Sequence, residues 1–198
     1  MKNIILYGAG GHAKSCIEIL SNLKKFKISY LISINDERKK LFRSKIINEK
    51  NLILKKKQNI LIAIARHDQI KKRSEVFSKY KRLGCVFPKV ISKSAYLSKN
   101  STILEGSIIM NNSLININAR IGKNCVINNF SLIEHDASIG DHTIVSTAVK
   151  INGNAKIGKK CFIGSGAIIS NDIVIGDNCK IGAGKVIMKN VSSGQIIK

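Results

Sequence analysis

Aliphatic residues return at every sixth position through the C-terminal part of the chain. From Ile91 to Ile187, through Leu97, Ile103, Ile109 and onward, all seventeen positions in this register are Ile, Leu or Val. With 44% of residues hydrophobic, so long an unbroken run arises by chance on the order of once in a million. Four residues further on lies a register of small side chains: Ala95, Ser101, Ser107, Ser113, Ala119, Cys125, Ser131, Ala137, Thr143, Ala155, Cys161, Ala167 and Cys179. Val149, Ile173 and Lys185 are its bulkier members. A period of six is neither the two of a strand nor the 3.6 of a helix. It fits a triangular coil in which one aliphatic side chain per face points inward and stacks on its neighbour one turn away, while a small residue lets the chain turn. Glycines just after the aliphatic position (Gly122, Gly140, Gly158, Gly164, Gly176, Gly182) are expected to ease tight backbone geometry near the corners.

The first ninety residues follow a different pattern. Residues 3–7 read as a buried strand, followed by a turn at Gly8-Ala9-Gly10-Gly11-His12-Ala13 and an amphipathic helix to about Lys25. That is the strand, glycine turn and helix of a phosphate loop. Ile28–Ile34 and Ile60–Ala65 predict two more strands, His67–Tyr80 a second helix with apolar spacing at Ile70, Val76 and Phe77, and Gly84–Phe87 a short last strand. Pro88, the only proline, marks the boundary between an N-terminal domain, 1–88, and a coil domain, 89–198. The spacing Gly8-x-Gly10-x-x-Ala13 matches a dinucleotide fingerprint, but about four strands make a half-size, mononucleotide-type domain. An NAD-dependent oxidoreductase would rest on that glycine loop alone.

Composition narrows the function classes. Lys and Arg number 34 against 12 Asp and Glu, a formal charge of +22, which favours anionic partners. The basic clusters, among them Lys55-Lys56-Lys57 and Lys71-Lys72-Arg73, have no interleaved aromatic residues for base stacking. The expected partners are therefore phosphate-bearing small molecules rather than nucleic acid. No run of 18 apolar residues occurs, and Met1 leads straight into a strand, so a cytoplasmic chain without membrane insertion is expected. Five cysteines with no C-x-x-C pair indicate neither a metal site nor a disulfide framework.

The aliphatic-Gly-x-x-small repeat resembles that of the hexapeptide acyltransferases, a resemblance that implies a left-handed parallel β-helix. Together with the opening Tyr7-Gly8-Ala9-Gly10-Gly11-His12, the chain looks like the bacterial sialic acid O-acetyltransferase and UDP-amino-sugar N-acetyltransferase family. That family joins a Rossmann-like α/β domain to such a coil. The most specific segment runs from Ile127 to Gly140 and contains Ile133-Glu134-His135-Asp136, where the family carries its catalytic histidine. The resemblance implies His135 as the base, with Asp136 as its first-choice carboxylate partner and Glu134 as the second. The chemistry suits the residue type, because acetyl transfer from a thioester requires removal of a proton from the attacking amine or hydroxyl.

Further roles follow from the resemblance. Gly10, Gly11 and His12 fall where relatives contact a nucleotide-sugar, Asp36 stands in for an acidic pair, and Asn128 matches a position near the sugar. Acetyl-CoA is the implied co-substrate, with contacts mapped to Ile144, Gly153, Ser165 and Ala183, and with no metal. The implied assembly is a homotrimer. Ile144 replaces a second histidine of the relatives, and Ala65 a glycine of the nucleotide pocket. The same fold would also serve a non-catalytic nucleotide-sugar-binding protein, and the sequence leaves nitrogen and oxygen acceptors equally open.

Overall fold

The computed structural model describes residues 1–33, 38–52 and 57–198, which form two compact units, Met1–Pro88 and Lys89–Lys198. The first is a parallel α/β sheet. β1 (Lys2–Tyr7) leads through α1 (Gly11–Leu23) to β2 (Phe26–Ser33), paired parallel to β1. β3 (Lys40–Leu41) and β4 (Ser44–Asn48) form an antiparallel hairpin on the far side of β2. β5 (Asn59–Ile62) returns to the free side of β1 and is followed by α2 (Ile70–Arg82). The sheet order is β3-β4-β2-β1-β5. Ile4 to Tyr7 are all buried, the continuous apolar run expected of a central parallel strand.

Three details differ from the sequence reading. The hairpin at 40–48 was not anticipated, because its Lys- and Arg-rich alternation carries little apolar signal. The expected strand Gly84–Phe87 is reduced to a single bridge between Val86 and Asn59. Arg73 does not join Lys71 and Lys72 in a basic surface cluster. It is fully buried, donating from Nη1 to the carbonyls of Ile62 and Ile64 and so tying α2 to the end of β5.

The second unit is a parallel β-helix with three flat faces of seven, six and five two-residue strands. Residues eighteen apart stack: Ile127 pairs with Ile109 and Val145, and Ile133 with Ile115 and Ile151. The second residue of each strand is the aliphatic of the sixfold register, and nearly all are buried in one continuous column. Burying each such side chain stabilises by roughly 1.5–3 kcal/mol. The final turn is two residues short, since Val191 bridges to Ile175 and Ile197 pairs with Ile181.

The corners use residue types in ways the repeat alone did not reveal. Left-handed backbone occurs three positions after the aliphatic residue, at Asn112, Asn118, Asn124, Asp136, Asn154 and others, with φ between 53° and 60° at these five. Asn, Asp and Gly tolerate this conformation best. The glycines just after the aliphatic position serve a different purpose. A Cβ on Gly140 would lie 2.6 Å from the carbonyl carbon of Gly158, so these glycines permit successive turns to approach closely. The small residues sit inside the coil, where their hydroxyls and thiols satisfy corner carbonyls of the next turn. Ser131 donates to Ser146 O at 2.7 Å, Thr143 to Gly158 O at 2.8 Å and Cys161 to Gly176 O at 3.0 Å.

Candidate functional site

The triangular section gives the coil three vertices, and His135 stands on the vertex that follows the strand Leu132–Ile133. Its side chain is about half exposed. Neighbouring side chains in an extended segment point to opposite faces, but Asp136 has φ +60° and is turned back toward the ring. Its Oδ2 lies 2.9 Å from His135 Nδ1. The carboxylate can only accept, so the ring proton belongs on Nδ1, and Nε2 keeps its lone pair. Hydrogen bonds from His135 and from Asn118 Nδ2 hold the Asp136 carboxyl below its ordinary range. Glu134 does not reach the ring. Its Oε2 accepts from Asn116 Nδ2 at 2.6 Å and from the His135 backbone N–H at 3.3 Å, bracing the turn.

Gly153 lies one turn beyond His135 in the same column. A Cβ there would fall 2.6 Å from His135 Nε2 and Cε1, so the absence of a side chain makes room for the ring. Ser165 and Ala183 share another vertex, the one after the strands Phe162–Ile163 and Lys180–Ile181. Asn128 belongs to that vertex too, following Val126–Ile127. There Asn128 Oδ1 accepts from Asn129 N at 2.9 Å, and the hydroxyls of Ser146 and Ser165 lie 2.8 Å apart. Ile144 is only 1% exposed and offers a ligand no polar atom. Within one chain, then, Gly153 accompanies the histidine, while Ser165, Ala183 and Asn128 are one vertex away.

In the first unit, a cavity of about 430 Å³ opens at the C-terminal ends of β1, β2 and β5. This is where an open parallel sheet binds ligands, beside the strand from which the chain departs in both directions. It is lined by the loop from Gly8 to His12, by Ile32 and Ser33, and by the segment from Ala63 to Arg66, with Gln69 and Lys72 at α2. Gly8 is dictated by the fold, since its φ is +121° and a Cβ would lie 2.7 Å from Ala63 O. Gly10 and Gly11 are not, because a Cβ on either would meet nothing within 4 Å. The first turn of α1 has no side-chain cap and no acidic residue, so its N–H groups face the cavity free to meet an anion.

His12 Nε2 is enclosed and has no hydrogen-bond partner among the described residues. Burial, reinforced by the nearby Arg73 guanidinium, pushes the His12 ring down to about 3, so the enclosed ring is neutral. Tyr7 at the cavity wall donates to Glu49 Oε2 at 2.6 Å, and Glu49 Oε1 also holds Tyr80 at 2.9 Å and Lys79 at 2.8 Å. Sequence reasoning missed Glu49, which lies in an unremarkable polar stretch and gains its role only when the turn Glu49–Asn51 is brought against α2. Asp36 lies outside the described residues. Among the described residues, no group of His, Cys, Asp and Glu is placed to hold a metal ion.

Comparison with known proteins agrees with this architecture. Residues 3–80 match the PglD N-terminal domain, and residues 154–189 match the bacterial transferase hexapeptide, six repeats. The acetyltransferase domain of PglB from Neisseria gonorrhoeae FA1090, solved with acetyl coenzyme A, superposes with a TM-score of 0.91 at 23% identity, over 98% of this chain and 95% of that one. WeeI from Acinetobacter baumannii AYE gives 0.89 at 24% identity, over 100% and 97%. PerB from Caulobacter crescentus, solved with CoA and GDP-perosamine, gives 0.87 at 23% identity, over 99% and 93%. No curated protein matches the chain by sequence. The chain is thus similar to the PglD N-terminal domain in its first unit and to the hexapeptide repeat in its second. Its fold is that of the three structures just named.

Proposed function

We propose that the protein transfers the acetyl group of acetyl-CoA to an amine or hydroxyl of a sugar, carried on a nucleotide or as a sialic acid, in cytoplasmic surface-glycan biosynthesis. The observation that carries this reading is the His135–Asp136 pair, whose half-exposed ring sets Nε2 against the side-chain-free Gly153. Nε2 takes the proton of the acceptor as it attacks the acyl carbon, and the Asp136 carboxylate stabilises the imidazolium that forms. The cavity at Gly10, Gly11 and His12 takes the nucleotide-sugar, its phosphates meeting the start of α1. Asp36 is retained as a candidate contact on sequence grounds. Two of the structural relatives carry acetyl-CoA, or CoA with a GDP-sugar, which supports the choice of substrates.

The split of the coil residues over two vertices argues for an assembly. A thioester laid along Ser165 and Ala183 meets His135 when the vertex of one chain faces that of a neighbour, the arrangement of a homotrimer with sites between its coils. The face between these two vertices presents the outward side chains Tyr96, Leu114, Leu132, Ile168 and Val186, with Lys150 among them. Such an apolar stripe favours burial against a second copy.

The test is acetyl-CoA consumption across a panel of UDP- and GDP-amino-sugars and sialic acids, with His135→Ala beside the wild type. Loss of roughly a hundredfold or more in rate is expected for the variant, its coil remaining intact. Near-normal turnover would remove His135 from the role of base. Calorimetry that detects nucleotide-sugar but no coenzyme A binding would turn the reading to a non-catalytic binding protein.

A further inference from the structure

Columns of side chains beside His135 hold hydrogen-bonded pairs one turn apart. Asn116 donates to Glu134 one turn on, Asn118 to Asp136, and Asn154 to Asp172, at distances from 2.6 to 3.1 Å. In the histidine's own column the sequence is Ile117, His135, Gly153, Asn171, each eighteen residues from the last. Gly153 contributes no side chain, and the place its Cβ would take is closed in by the His135 ring and the Asn171 carboxamide. His135 Nε2 lies 2.6 Å from where the glycine's Cβ would stand, and Asn171 Nδ2 lies 3.1 Å from the same point. The two nitrogens are therefore no farther apart than the sum of those distances. Asn171 is exposed, and its carboxamide makes no hydrogen bond among the described residues.

We propose that Asn171 is a second catalytic residue of this site, its Nδ2–H donating to the acyl oxygen as negative charge develops there. The inference rests on the acetyl-transfer reading above and adds to it a group for which sequence resemblance assigned no role. The acceptor atom and the acyl oxygen are bonded to the same carbon in the transition state. A base for the first and a donor for the second must therefore lie close together, as His135 Nε2 and Asn171 Nδ2 do beside Gly153. The acceptor's lone pair forms the new bond to the acyl carbon, and its proton passes to His135 Nε2. The carbonyl π pair moves onto oxygen, where Asn171 meets it. When the carbonyl re-forms, the carbon–sulfur bond breaks, and the thiolate leaves with the proton returned from the imidazolium. A donor whose bond to the acyl oxygen polarises the bound carbonyl and strengthens as charge builds there raises the rate far more than it tightens ground-state binding.

The experiment compares wild-type protein with Asn171→Ala and with Asn171→Asp, which keeps the shape and loses the donor. Measurements are kcat, KM for both substrates, thermal melting, and the infrared carbonyl stretch of bound acetyl-CoA labelled with carbon-13 at the acyl carbon. Both variants are expected to lose on the order of a hundredfold in kcat. Melting and both KM values should stay close to wild type, and the carbonyl stretch should move to higher frequency as polarisation is lost. Retention of kcat within about threefold, or a loss confined to the acceptor KM, overturns the proposal. Failure of the underlying reading looks different, because the wild-type protein itself then neither binds nor consumes acetyl-CoA, and the role of Asn171 falls with it.

Discussion

The Asp136 carboxylate reaches back to the imidazole of the residue directly before it, Oδ2 to Nδ1 at 2.9 Å, because Asp136 occupies the left-handed corner of its turn. Backbone conformation, rather than a partner distant in sequence, thus builds the pair. Asn is equally at home in that conformation, so Asp136→Asn should leave the coil intact. It removes the acceptor charge and the tautomer control, and kcat should fall by at least about tenfold with unchanged melting. A variant with wild-type kcat would show that the ring needs no carboxylate.

Two glycines of the coil should respond oppositely to the same substitution. In Gly153→Ala the new Cβ meets the far end of the His135 side chain, which can swing into solvent. Thermal melting should hardly change while kcat falls by about tenfold to a hundredfold, the usual consequence of a displaced catalytic group. In Gly140→Ala the Cβ meets the backbone of Gly158 and Lys159, which cannot move without parting two turns. Melting temperature should drop markedly there. Equal loss of stability in both would contradict this geometry.

In the α/β unit, Gly8→Ala should prevent a stable fold, since it combines a left-handed φ with a collision against Ala63 O. Gly10→Ala faces open space and should fold normally. Its methyl group enters the cavity, so calorimetry should record weaker nucleotide-sugar binding, by about tenfold if the backbone must approach a phosphate closely. Unchanged affinity would place the ligand elsewhere.

The Glu49 carboxyl sits below its ordinary 4.5: burial opposes ionisation, but hydrogen bonds from Lys79, Tyr7 and Tyr80 outweigh it. A carboxyl depressed on folding contributes stability that is present above its unfolded value and is lost as pH falls through the folded one. Glu49→Gln should therefore be less stable than wild type at pH 7, and the two should converge in acid below about 4.5. Urea unfolding followed by the fluorescence of Tyr7, Tyr30 and Tyr80 reads this directly. Parallel curves across the range would rule out a stabilising role for the charge.

The coil was legible before any coordinates because its period is a property of the chain. A residue every six positions faces inward whatever the neighbouring turns contain, so Ile91 to Ile187 announce the fold unaided. His135 was legible from the string around it, as were the glycine loop and α1. The hairpin at 40–48, the buried Arg73 and the Glu49 cluster were not, because each gains its meaning from contacts across the sheet that polar composition does not encode.

Stacking at eighteen-residue intervals decided the remainder. It placed Gly153 against the imidazole and Asn171 beside the same point, and it separated Ser165 and Ala183 from His135 by a whole vertex. Local sequence specifies which side of a strand a residue takes. Only the superposition of successive turns determines which residues meet, since partners eighteen apart share no local signal and are joined by geometry alone.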